Sequence, residues 1–177
     1  MDELFSFPNP VNETSARVVA GGVVTMATAA IAFDRPALMV PLTYGFAARV
    51  ATGPTLSPLG QLATKVVTPR LPVRHRYSPG PPKRLAQGMG LAASGTALAL
   101  HYGFGRRRAA RVVLGGLIGA ASLEAFLGVC VACRMFPYLM RAGLVPRDIC
   151  EECADIGSRR SPAQAPRVGA PPVASPA

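Results

Sequence analysis

Four cysteines form two C-x-x-C pairs, Cys130-Val131-Ala132-Cys133 and Cys150-Glu151-Glu152-Cys153, with sixteen residues between them. That separation falls within the spacing of four-cysteine zinc sites. Residues three apart on a turn bring two thiolates to one side, and a second pair on a returning segment completes a tetrahedron around the metal. Pro137, Gly143 and Pro146 lie between the pairs and can turn the chain back. The same residues allow redox chemistry, because each pair can close a disulfide and exchange it through a thiolate. On the third reading, Cys130 and Cys133 are small apolar residues that pack the end of a helix. Read as the last turn of a helix, Cys130 and Cys133 meet the negative end of its dipole, which opposes a thiolate; Arg134 offsets this in part. Glu151 and Glu152 would raise the second pair of thiols.

Glu124 is the second residue whose type demands an explanation. It stands inside a long apolar block, where an ionisable group is costly and is kept neutral, paired, or used in a pathway. Gln87, Ser94, Thr96 and His101 on the preceding block are its expected partners. Gly115 and Gly119 make a G-x-x-x-G, the pattern of close helix packing in lipid, with the run from Gly88 to Ala92 as its counterpart. The Gly-rich runs are not phosphate loops, since no strand precedes them and no lysine follows.

The elements that hold these residues are four apolar blocks, expected as membrane helices over about 12–33, 37–53, 85–104 and 112–133. The apolar content is Ala, Gly, Val and Leu, without Trp, which suits helices packed through small residues. Asn12 caps the first helix with Glu13 in its first turn, and Asp34-Arg35-Pro36 ends it. Pro41 is tolerated near the start of the second helix, and Arg49 near its end can snorkel to the interface. Between the second and third helices the chain is basic and free of acidic residues. Leu59, Leu62, Ala63, Val66 and Val67 recur there at helical spacing, which predicts a short amphipathic helix on the membrane surface. The prolines from Pro69 to Pro82 predict an extended or turning segment. The acidic start Met1-Asp2-Glu3-Leu4 argues against a secretory signal, so the first block is expected to remain a membrane helix.

The 177-residue chain carries a formal net charge of +10. The charges sit between apolar blocks, so their expected partner is a bilayer with anionic headgroups, and no nucleic acid. Basic residues near the helix ends number ten against five when the long loop is placed inside. The excess predicts both termini in the cytoplasm, against the pull of the cluster from Arg106 to Arg111.

Several stretches together resemble a known family: Ser57-Pro58-Leu59-Gly60, Arg70-Leu71-Pro72, Pro82-Lys83-Arg84-Leu85-Ala86-Gln87-Gly88, and Leu127-Gly128-Val129-Cys130-Val131-Ala132-Cys133. They are similar to the bacterial membrane proteins grouped as domain of unknown function family 4395, over about residues 9 to 155. The family usually has Phe where Val129 stands, and it does not require an acid at the position of Glu124. The resemblance implies an integral membrane protein, and an association with thioredoxin-like or sulfurtransferase partners that favours the redox reading.

The sequence thus predicts an all-α membrane protein: a four-transmembrane-helix bundle over residues 1–156, including a cytoplasmic cysteine segment at 134–156, and a disordered tail at 157–177. It is expected in the bacterial plasma membrane as a multi-pass protein. Its expected chemistry is a cytoplasmic-face cluster of Cys130, Cys133, Cys150 and Cys153, used as a Cys130–Cys133 redox dithiol or sulfur relay, or holding structural zinc. The alternative is a non-enzymatic scaffold or small transporter whose cysteines only pack.

Overall fold

The computed structural model describes residues 11–71, 77–78 and 80–143. Cys150, Cys153 and the expected tail lie outside the described residues. Within them the regular structure is helical apart from one two-residue strand pair. That pair, β1 (Val11–Asn12) against β2 (Tyr77–Ser78), ties the start of the chain to the end of the basic loop, and the apolar pattern gave no sign of it.

Helix α1 spans Glu13–Ala32 and is capped as expected: the Asn12 side chain accepts from the Thr14 N–H at 2.9 Å. After the turn at Asp34, a short 3₁₀ segment (Pro36–Leu38) leads into α2 (Met39–Thr52), which stops at Gly53 with φ +65°. The basic loop then forms a helical run: α3 (Pro58–Gln61), a π-type turn (Leu62–Val67) and α4 (Thr68–Arg70). This is the amphipathic segment, but it docks on α1. A Cβ on Gly22 would fall 2.6 Å from Leu59, Ala63 is fully buried, and Ser15 and Thr68 share a buried hydrogen bond of 2.9 Å. Leu62 and Val66 face outward.

Helix α5 runs Gly80–Leu98 and continues through a π-type turn, Ala99–Gly103. It takes in Pro81 and Pro82, which fit a first turn because the N–H groups there have no helical acceptor. Helix α6 spans Arg107–Leu127 and α7 spans Val131–Arg141. The fourth apolar block is therefore not one helix to residue 133: it breaks at Gly128.

The four long helices pack side by side, α1 against α6 and α2, and α5 against α2 and α6. Arg17 of α1 donates to the carbonyls of Ala125 (3.2 Å) and Phe126 (2.8 Å), so the start of α1 meets the end of α6. Arg84 of α5 donates to the Val50 carbonyl of α2, closing the same end. At the other end Asp34 pairs with Arg111 at 2.8 Å, an exposed bridge of little energetic weight. The core of Val23, Ala27, Met39, Leu42, Phe46, Ala97, Ala110 and Leu114 lies between these ends.

Two helices, α1 with 20 residues and α6 with 21, are long and apolar enough to cross a membrane. Twenty residues rise ~30 Å, the thickness of a hydrocarbon core. The outward face of α6 is largely apolar, with Val112, Phe126 and Leu127 all more than two-thirds exposed.

Two sequence expectations about packing are corrected. Gly115, Gly119 and Gly88 would each meet nothing within 4 Å if given a Cβ, so the G-x-x-x-G makes no close approach within the chain. The glycine that does is Gly90, whose Cβ would fall 2.1 Å from the Phe46 ring. Arg49 does not snorkel outward. It is 5 % exposed, donates to Gln87 (2.7 Å) and Ser57 (3.0 Å), and lies 4.6 Å over the Phe46 ring, so its polar partners lie inside the helix assembly. Replacing Gly90 by Leu should lower the unfolding temperature in detergent, with a loss of about 1–3 kcal/mol from overpacking. Gly115→Leu should leave it unchanged, and equal effects of the two would contradict this packing.

Candidate dithiol site

The site begins with the break in the fourth block. Gly128 adopts φ +66°, a left-handed conformation that only glycine takes without strain. The Gly128 N–H reaches back to the Glu124 carbonyl and the Val129 N–H to the Leu123 carbonyl, both at 3.1 Å. These bonds satisfy the last carbonyls of α6, and Arg17 takes two more. The chain then restarts as α7, with Cys130 as its capping residue in extended backbone.

Cys130 caps α7 through its own sulfur: the Cys133 N–H donates to the Cys130 Sγ at 3.3 Å. The dithiol therefore lies at the start of a helix, not at the end of one, and the expected dipole effect is reversed. Free N–H groups and the positive end of the dipole now favour a thiolate. The Cys130 thiol is pushed below its ordinary value, chiefly by the hydrogen bond from the Cys133 side chain. Burial and the Glu124 charge oppose this shift, while Lys83 and the Cys133 N–H assist it. Cys133 is pushed up, because it gives that hydrogen bond, is itself buried, and faces the Cys130 charge. Both thiols are free, Cys130 buried and Cys133 half-buried.

Helix α7 is amphipathic. Its apolar side sets Phe136 and Met140 against Leu85 at the start of α5, while Tyr138 and Arg141 face out. This contact brings Lys83 and Glu124 beside the cysteines. Glu124 is not in mid-helix: since α6 ends at Leu127, Glu124 stands in its last turn. Its partner is Lys83, at 2.6 Å, with side chains 8 % and 16 % exposed, rather than any of the expected polar residues of the third block. Taking two charges out of water costs free energy that their attraction offsets only while both are present, so losing one partner strands the other.

Two cavities meet at Glu124. One, of about 340 Å³, runs between α1, α5 and α6, with Val19, Gly90, Gly116 and Ala120 in its apolar wall and Cys130 and Glu124 at one end. The other, of about 500 Å³, is more polar, with Glu13, Arg17, Lys83 and Glu124 beside Val18 and Leu127. Among the described residues no three His, Cys, Asp or Glu side chains converge as a metal site. The expected zinc partners Cys150 and Cys153 lie outside those residues, so the described ligands amount to one dithiol.

The family model for the domain of unknown function DUF4395 matches residues 11–141, from β1 to the last turn of α7. The chain belongs to the DUF4395 family. The DUF4395 match thus takes in the dithiol, the Lys83–Glu124 pair and every described helix. No curated protein and no solved structure matches the chain.

Sequence reasoning found the cysteines and Glu124 but missed Lys83 and the restart of the helix. Gly128 was the available signal, a helix-stopping glycine two residues before a residue that can cap. Glu124→Ala should destabilise the protein by about 3–5 kcal/mol by stranding Lys83. The double change Lys83→Met with Glu124→Leu should recover most of that loss in a detergent unfolding measurement. A double variant as unstable as the single one would show that the pair is not the source of the cost.

Proposed function

We propose that this protein is a multi-pass membrane thiol-disulfide carrier, with α1, α2, α5 and α6 crossing the bilayer and both termini in the cytoplasm. Cys130 and Cys133 exchange electrons there with a thioredoxin-like dithiol protein. The observation that carries the reading is the placement of Cys130 as the cap of α7, where its thiolate is stabilised by the Cys133 hydrogen bond and the helix start.

The chemistry follows from the unequal pair. In the oxidised form, a partner thiolate attacks the more accessible Cys133 sulfur. Cys130 leaves as the stabilised thiolate, since the thiol of lower pKa leaves faster. The second partner thiol then attacks the mixed disulfide. It releases Cys133, and the partner departs with the disulfide. Two electrons have passed to this chain, and the two protons given up by the partner thiols go to Cys133 and Cys130, the more basic Cys133 thiolate first.

The helix ends at the dithiol carry Arg17, Lys65, Arg70, Lys83, Arg84, Arg134 and Arg141, and the opposite end carries Arg35, Arg106, Arg107, Arg108 and Arg111. This bias supports a cytoplasmic dithiol facing anionic headgroups. Reporter fusions after Arg74 and after Ala177 should read cytoplasmic, and one at Gly105 external. The opposite pattern would put the dithiol in an oxidising compartment and remove this partner.

The exchange itself is tested with a thioredoxin variant that lacks its resolving cysteine. In the oxidised wild-type protein the mixed disulfide should form through Cys133 as Cys130 leaves as the thiolate, with about tenfold less through Cys130. Trapping through Cys130 alone, or through neither, would contradict the reading. One equivalent of zinc with all four thiols protected would replace it by a structural metal site.

A further inference from the structure

A dithiol that is repeatedly reduced must hand its electrons on, and the apolar cavity at Cys130 is shaped for the acceptor. We infer that the cleft between α1, α5 and α6 binds a lipid-soluble quinone, with its ring against Cys130 and Glu124 and its tail along the apolar wall. This inference rests on the thiol-exchange reading.

Four observations select this class of ligand. The cleft measures about 340 Å³, within the ~300–1,000 Å³ range of small-molecule sites. Its wall is Val19, Gly116, Ala120 and similar small apolar residues, and it contains no Lys or Arg. A nicotinamide or flavin nucleotide carries phosphates that need basic or backbone donors, and this lining offers no basic side chain for them. Polar groups, Gln87, Glu124 and the Cys130 thiol, are the exceptions in the lining, which suits a ring with oxygens and an apolar tail. Cys130 is the buried thiol and lines the cleft, while Cys133 is the more exposed one. The two cysteines thus face two different exchange partners.

The step balances. Two thiol S–H bonds break and one S–S bond forms between Cys130 and Cys133. The quinone ring accepts two electrons, and its two oxygens each take one proton to give the quinol. Glu124 lines both the apolar cleft and the cavity beside Lys83, which places it to relay the Cys130 proton to a quinone oxygen.

The test uses the full chain in lipid nanodiscs, with the dithiol reduced and free reductant removed, and a decyl-tailed benzoquinone as the probe. Quinol should form with matching loss of the Cys130 and Cys133 thiols. Gly116→Leu should slow this by about tenfold or more, a barrier increase of roughly 1.4 kcal/mol. The same variant should leave disulfide exchange with the thioredoxin-like protein unchanged. Because a Cβ on Gly116 meets nothing within 4 Å, the new side chain enters the cleft without forcing the helices apart. Gly115→Leu, equally unhindered but outside the cleft lining, should reduce quinone at the wild-type rate. A wild-type protein that exchanges disulfides but forms no quinol would overturn the quinone site alone, and a cleft holding only phospholipid would do the same. Quinol formation unaffected by Gly116→Leu would place the site elsewhere. Failure of both exchange and quinol formation would remove the thiol reading with it.

Discussion

The site depends on one backbone conformation. Gly128 turns left-handed and stops α6 in the middle of an apolar run, and two backbone hydrogen bonds fix the turn. Without that stop, Cys130 and Cys133 would continue a helix and face its negative end. With it, the chain gains a second helix start two residues later, and the same two cysteines sit where free N–H groups point at sulfur. A non-glycine residue in this conformation pays about 1–2 kcal/mol, so the residue type at 128 is tied to the placement of the dithiol.

The surrounding contacts hold this turn at one end of the helix assembly. Arg17 reaches across from α1 to the last carbonyls of α6, and Phe136 and Met140 anchor α7 on Leu85. The Lys83–Glu124 pair ties the first turn of α5 to the last turn of α6 directly beside the cysteines. Glu124 opposes a Cys130 thiolate and Lys83 favours it, the carboxylate weighing more, so the pair does not produce the lowered thiol. The asymmetry between the thiols comes mainly from their own side-chain hydrogen bond, with the Cys133 N–H at the helix start adding to it. Glu124 is left to bridge an apolar and a more polar cavity, a position that a group serving only as an ion-pair partner does not need.

Much of this was legible in the sequence, where physics acts locally. Asn12 and Glu13 predict the start of α1, and Asp34-Arg35-Pro36 its end, because capping and chain breaking depend on neighbouring residues. Glu124 demanded a partner on burial cost alone, but its identity depends on how α5 and α6 align, which hydropathy does not encode. The break at Gly128 was hidden because apolar residues continue on both sides, and because cysteine is not among the usual capping residues. Arg49 was expected at the interface for the same lack of tertiary information: Gln87 and Ser57, 38 and 8 residues away in sequence, supply its hydrogen bonds inside. Pro81 and Pro82 read as chain breakers, whereas the first turn of a helix accepts them.

The central claim is that Cys130 and Cys133 are unequal thiols, made so chiefly by the hydrogen bond that Cys133 gives Cys130 where α7 starts. It is tested most directly by ¹³Cβ labelling of the cysteines and a pH titration followed by nuclear magnetic resonance, in the full chain in nanodiscs. The account predicts that Cys130 titrates first, with a midpoint below the ~8.5 of a free cysteine, while Cys133 stays protonated through that step. Titration of Cys133 first, or of both together at the ordinary value, would contradict it.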